Sequence, residues 1–348
     1  MSPGPAVEGG RPASSLPLDS LGLWELTAGL PEQLAAAAGP LSLEPAPPGL
    51  THVVLIGVGE AATAARAVAA LVGPRAPLPV TVWSGGPTPG ALGPASLVVA
   101  LSGSGDTAGT VAATAMARRA GATVLAVSGG GDLRAEATAA GDRWLELPPG
   151  PPERALLGAM TVTSLVALEA LGVLRDIGPE VRRAADSLAR HRDAVLRPGG
   201  LPAAVARRIG RTFPLIHGVE GLGAVAARRW KNQVNTNAKA PAFWAALPDL
   251  GHNEVAGWGQ DGDVTRQVFT LVSLRLADES PAVTQAFAAV AAQLDEVVAD
   301  MIEVRAAGEG LLAEFFFLVL VGDLVSLLMA GREGIDPGPA PAVDAVAG

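Results

Sequence analysis

Residues 229–258 read R-W-K-N-Q-V-N-T-N-A-K-A-P-A-F-W-A-A-L-P-D-L-G-H-N-E-V-A-G-W. With the residues just before it, the first half predicts a helix, because Leu222, Ala226, Trp230, Val234 and Ala238 recur at i+4 and form one apolar stripe. Arg229, Asn232, Thr236 and Lys239 fall at offsets of three and four, so they share a second, polar face. Pro241 ends the helix, and a loop follows that carries Asp249, His252, Asn253 and Glu254. Such a face is either a solvated surface or the wall of a polar pocket. Trp230, Phe243, Trp244 and Trp258 favour the pocket, since large aromatics make a poor solvent-facing segment.

Outward from this helix, short apolar runs alternate with helical patterns. A leucine-rich helix is expected over 18–38 and a Pro/Gly-rich linker over 39–49. Strands are expected at 53–56, 80–83, 96–101, 123–127 and 144–147, with helices at 60–71 and 107–119 and a further one from Gly131. Helices at 154–174 and 179–196 connect to a second such pattern. There, strands are expected at 214–217, near 267–274 and at 301–304, and helices at 281–299 and 311–330. This alternation predicts an α/β protein with two tandem, doubly wound parallel sheets. The expected divisions are a disordered tail over 1–16, a first subdomain over 17–152, connecting helices over 153–200 and a second subdomain over 201–348.

Composition narrows the classes. The 348 residues are 49% hydrophobic, enough for a substantial core. A net charge of −9 argues against nucleic acid or an anionic membrane as the main partner. There is no cysteine, which excludes disulfides, thiolate metal sites and cysteine nucleophiles and fits a cytoplasmic setting. The N-terminus lacks the basic-then-apolar pattern of a signal peptide. Residues 311–330 approach membrane-spanning length. Glu314, Gly322 and Asp323 interrupt them without an aromatic belt or basic flank, so a buried core helix is expected.

Several motifs carry chemistry. S-G-S-G-D-T-A-G-T, residues 102–110, lies between a strand and a helix N-terminus, where backbone N–H groups and hydroxyls suit a phosphate. The plainer reading is a Ser/Thr cap; four hydroxyl residues in nine exceed what a cap needs. L-I-G-V-G-E-A-A, residues 55–62, has the spacing of a dinucleotide fingerprint but no acid after the second strand, so a structural turn and no cofactor are expected. V-S-G-G-G-D-L, residues 127–133, is equally a substrate-facing loop or a flexible turn. Arg154 stands at a helix start, where a cation is unfavourable and wants another explanation. His52, His191 and His217 lack ligand spacing, so no metal site is expected.

The 229–258 segment resembles the bifunctional phosphoglucose/phosphomannose isomerases, enzymes of the sugar-isomerase (SIS) fold with an R-W-K-x-Q-x-N-E-N-A-K-x-P-A-F run followed by H-N-E. Arg229, Trp230, Lys231, Gln233, Asn235, Asn237, Ala238, Lys239, Pro241, Ala242 and Phe243 match it, as do His252, Asn253 and Glu254. The family's S-x-S-G-N-T-E-E-T loop matches at Ser102, Ser104, Gly105, Thr107 and Thr110, with Asp106 for Asn and Gly109 for Glu. P-G-P-P-E-R-A-L-L-G, residues 149–158, resembles the family's P-G-x-x-P-R-x-x-x-G, which aligns Arg154 with the family's Arg. The resemblance implies a sugar phosphate as ligand, a homodimer, and aldose–ketose isomerisation through a cis-enediolate. It implies that Ser102, Ser104, Gly105 and Thr107 anchor the phosphate. It further implies that Arg154 stabilises the oxyanion and that His252, donated across a dimer interface, opens the sugar ring.

Two departures bear on chemistry. Thr236 stands where the family has its catalytic Glu, and a hydroxyl is too weakly basic to abstract a carbon-bound proton at neutral pH. The family's C-terminal Lys falls at Ala347 or a neighbour, and no Lys follows Lys239. Three readings stay open: an isomerase with a relocated base, for which Glu220 and Glu254 are candidates; a sugar-phosphate sensor without turnover; and a structural partner of an active enzyme.

Overall fold

A computed structural model of the chain describes residues 16–86 and 90–347. The expected disordered tail lies outside these residues except for Leu16, which is buried against Gly331. The first half comprises α1 (Leu23–Ala28), α2 (Leu30–Ala37), β1 (His52–Ile56), α3 (Glu60–Val72) and β2 (Val80–Trp83). It continues with β3 (Ser96–Ser102), α4 (Ala108–Arg119), β4 (Thr123–Ser128), α5 (Gly131–Ala140) and β5 (Arg143–Glu146). Then come α6 (Leu157–Ala170), α7 (Ile177–Leu196) and α8 (Leu201–Ile209). The second half has β6 (Phe213–Val219), α9 (Leu222–Asn237), β7 (Phe243–Leu247), α10 (Gly262–Val268) and β8 (Phe269–Arg275). It closes with α11 (Pro281–Leu294), β9 (Asp300–Arg305), α12 (Leu311–Arg332) and α13 (Pro341–Ala347).

Both sheets are wholly parallel, in the orders β2-β1-β3-β4-β5 and β7-β6-β8-β9. Strand β3 is buried at every residue, as the unbroken apolar run S-L-V-V-A-L-S requires of a strand covered on both faces. The alanines of α3 let it lie between α6 and α9, and Ala61, Ala64, Ala65 and Ala67 are all buried there.

Helix α12 is long and apolar enough to cross a membrane, but most of it is buried inside the protein. It packs along α9, where the sequence of each helix explains the other. The Trp230 indole N–H donates to the Leu318 carbonyl at 2.8 Å, and its ring fills the space that a side chain at Gly322 would need. One residue earlier in α9 and one later in α12, Arg229 forks onto Asp323 at 3.1 and 2.7 Å.

The structure departs from the sequence expectations at several elements. The 18–38 helix is broken at Gly29 into α1 and α2. Residues 243–247, expected as loop, form edge strand β7, on which Phe243 is about half exposed and Trp244 lines a surface groove with Arg228. Phe243 meets Phe269 edge-on, and so does Trp258. Arg154 lies in a 3-10 turn, Glu153–Ala155, ahead of α6 rather than at its start. Helix α8 and the short α10 carried no signal strong enough to predict.

Candidate active site

In the strand order β2-β1-β3-β4-β5 the chain reverses direction across the sheet between β1 and β3, and open α/β sheets bind ligands in the crevice beyond the strand ends at such a point. The 102–107 loop leaves β3 there. Ser102 is fully buried; its hydroxyl accepts the Gly105 N–H at 3.0 Å and lies 3.0 Å from the Thr107 hydroxyl. Ser104 accepts the Asp106 N–H at 3.1 Å. Gly105 has φ +90°, and a side chain there would run into the Gly130 carbonyl, so only glycine fits. Thr107 makes no side-chain cap to α4. The cap reading of this motif therefore loses its basis at Thr107, which instead bonds back to Ser102.

Asp106, the added carboxylate, faces away from α4: its Oδ1 accepts the Asp132 N–H at 2.9 Å, in the first turn of α5. The V-S-G-G-G-D-L turn braces the same loop from behind, with Gly129 N–H donating to Gly103 and Leu133 N–H to Gly105 at 3.1 and 3.0 Å.

Arg229, expected on a polar wall, is only 2% exposed. Its guanidinium reaches Glu60 at 2.5 Å, Asp323 at 2.7 Å and the Arg154 carbonyl at 2.7 Å. Burial disfavours its charge, but Asp323 and Glu60 outweigh that and hold its pKa above the ordinary arginine value. Arg229 thus joins three segments: the start of α3, the 153–155 turn and α12. Gln233, Asn237 and Ser326 continue this seam, with Asn237 donating to Gln233 and Ser326 at 3.0 and 2.9 Å.

Arg154 donates to the carbonyls of Pro337, at 2.9 Å, and Gly338. Lys239 donates to the Thr236 carbonyl and lies 3.4 Å from the Pro337 carbonyl. Burial, then the charge of Arg154, push the Lys239 ammonium below its ordinary pKa, while Asp336 opposes them. The chain from 336 to 338 therefore brings Arg154 and Lys239 together, and Lys239 in turn reaches the carbonyl of half-buried Thr236. His252 ends an exposed 3-10 turn, Asp249–His252, and no hydrogen bond ties it to this group among the described residues. Of the two proposed replacement bases, Glu254 is held by buried His217 at 2.8 Å, and Glu220 is exposed beside a groove of about 360 Å³ with Arg228 and Trp244.

Sequence reasoning passed over Glu60 and Glu153, and gave Asp323 only as an interruption of the apolar 311–330 run. Glu60 and Glu153 each carried a weak signal, an acid directly after G-x-G at a helix start and an acid directly before Arg154.

Comparison with known proteins bears on the fold and the family. Residues 201–346 match the bacterial phospho-glucose isomerase C-terminal SIS domain. A bifunctional phosphoglucose/phosphomannose isomerase of Caldicellulosiruptor bescii is 26% identical over 92% of this chain and 97% of its own length. One from Aquifex aeolicus is 29% identical over 72% of this chain and 74% of its own. Among solved structures, a phosphosugar isomerase-like protein of Clostridium difficile superposes with a TM-score of 0.70 at 12% identity, covering 91% of this chain and 95% of that one. The C-terminal domain of glucosamine-fructose-6-phosphate aminotransferase from Francisella tularensis gives 0.69 at 14%, covering 90% and 96%. Fold and sequence likeness together mark the chain as a two-sheet, SIS-fold protein of the phosphosugar isomerase kind. Within that class, the chain is similar over much of its length to bifunctional phosphoglucose/phosphomannose isomerases, at 26–29% identity.

Proposed function

We propose that the protein binds a hexose 6-phosphate at the 102–107 loop and interconverts its aldose and ketose forms, glucose or mannose 6-phosphate with fructose 6-phosphate. The observation that carries this reading is the loop itself. Its serine and threonine hydroxyls are organised by Ser102 at the end of β3, and Thr107 leaves the start of α4 without a side-chain cap, where backbone N–H groups attract a dianion. Arg154 and Lys239 supply positive charge in a molecule that is acidic as a whole. The oxyanion of an enediolate needs such a cation. His252, exposed at the tip of its turn, serves the ring-opening step in the site of a second copy, which makes the working form a homodimer.

Replacing Ser104 and Thr107 together by alanine tests this reading. Calorimetric titration with glucose 6-phosphate is expected to show binding in the parent protein and none in the double variant, with the thermal transition preserved. Equal binding in both proteins would reduce the loop to a structural turn.

A further inference from the structure

Glu153 stands immediately before Arg154, in the 3-10 turn ahead of α6. Its side chain lies across Gly103, inside the anion loop: a Cβ built at Gly103 would fall 2.6 Å from Glu153 Cγ and 3.1 Å from Cδ. On its other side, Oε1 accepts the Ala61 N–H at 3.2 Å, in the first turn of α3. The carboxylate therefore bridges the loop after β1 and the loop after β3, at the reversal point of the sheet. A phosphate on the 102–107 loop would place the rest of its sugar within this crevice.

The other acids nearby are engaged. Glu60 and Asp323 are both ion-paired to Arg229, Asp106 holds the start of α5, and Glu254 holds His217. Glu153 is held by the backbone of Gly103 and Ala61. Burial, with the Glu60 charge added, pushes its carboxyl above the ordinary glutamate range against those backbone hydrogen bonds. A base works best when its pKa approaches the operating pH.

We propose that Glu153 is the general base of the isomerisation, supplying the carboxylate that position 236 lacks. The proposal rests on the sugar-phosphate reading above. In the aldose-to-ketose direction Glu153 takes the proton from C2. The C2–H electron pair becomes the C1=C2 bond, and the C1 carbonyl oxygen takes the negative charge of the enediolate, next to the Arg154 cation. Glu153 then returns the proton to C1, the C2 hydroxyl loses its proton to become the ketone, and O1 takes up a proton. Nothing is oxidised or reduced overall.

The test is Glu153→Gln, whose amide oxygen still accepts the Ala61 N–H but cannot take a proton. Glucose 6-phosphate binding by calorimetry is expected to stay as in the parent protein. Exchange of the C2 proton with deuterated solvent is expected to fall roughly 10²–10⁴-fold, together with turnover. In the parent protein the acid limb of kcat/KM should lie above the ordinary carboxylate range. If the glutamine variant does not fold, Glu153→Asp keeps the charge and shortens the reach, and it should slow exchange by at least about tenfold. Parent-like exchange in either folded variant overturns the proposal, as does a parent protein that binds glucose 6-phosphate without exchanging C2–H. Failure of the parent to bind any sugar phosphate removes the sugar-phosphate reading itself, and this proposal with it.

Discussion

Arg229 shows how a residue matched by sequence can have its role reassigned by its surroundings. On the helix pattern it belongs to a polar wall with Asn232, Thr236 and Lys239, yet it is buried against Asp323 and Glu60. The sequence does carry both halves of the contact, Arg229-Trp230 in α9 and Gly322-Asp323 in α12. Nothing in a single chain of letters says that these two pairs face each other across 90-odd residues. Breaking a buried ion pair by removing one partner leaves an uncompensated charge, which costs about 3–5 kcal/mol. Asp323→Ala should therefore lower the urea unfolding free energy by about that amount, more than a surface Asp→Ala would. A loss within the range of surface changes would mean that Glu60 alone compensates the Arg229 charge. Glu153 is the converse case. It is inconspicuous in sequence, and its position on Gly103 gives it chemistry.

At the scale of elements, the parallel strands were legible because each is a short apolar run bounded by glycine or a cap. The structure reproduces β1, β3 and β4 to within a residue at each end. The failures have physical causes. Strand β7 begins two residues after Pro241 and carries exposed Phe243 and Trp244, so its burial pattern lacks the apolar run of a covered strand. Helix α8 is short and begins with Leu201-Pro202, which reads as a turn until Pro is placed in the first helical turn, where its missing N–H does no harm. The anion loop was legible as a motif. Its internal order was not: Gly105 has a positive φ and lies hard against the Gly130 carbonyl, and Asp106 turns to α5, both set by packing with the neighbouring strand's loop. The carboxylate substitution there consequently leaves the loop's hydroxyl side clear.

Considered whole, the molecule has a large apolar cluster shared by both sheets, with α3, α9, α6 and α12 at its centre, and a smaller separate cluster on each sheet. The candidate site lies at the rim of that core, where the first sheet's strand ends meet α9 and the 336–338 segment. Among the described residues His252 makes no hydrogen bond to these groups, and the proposed reaction draws it from a second copy. Static light scattering at micromolar concentration should give a mass near twice 34.9 kDa. A monomer that still turns over would remove His252 from the reaction. The central claim, that a chain with Thr236 at the expected base position is still an isomerase, is tested most directly by proton NMR of glucose 6-phosphate incubated with the protein in D₂O. The account predicts loss of the C2 proton signal and growth of fructose 6-phosphate at a rate typical of enzymes, about 1–10³ per second. Glucose 6-phosphate that binds yet keeps its C2 proton indefinitely would contradict it.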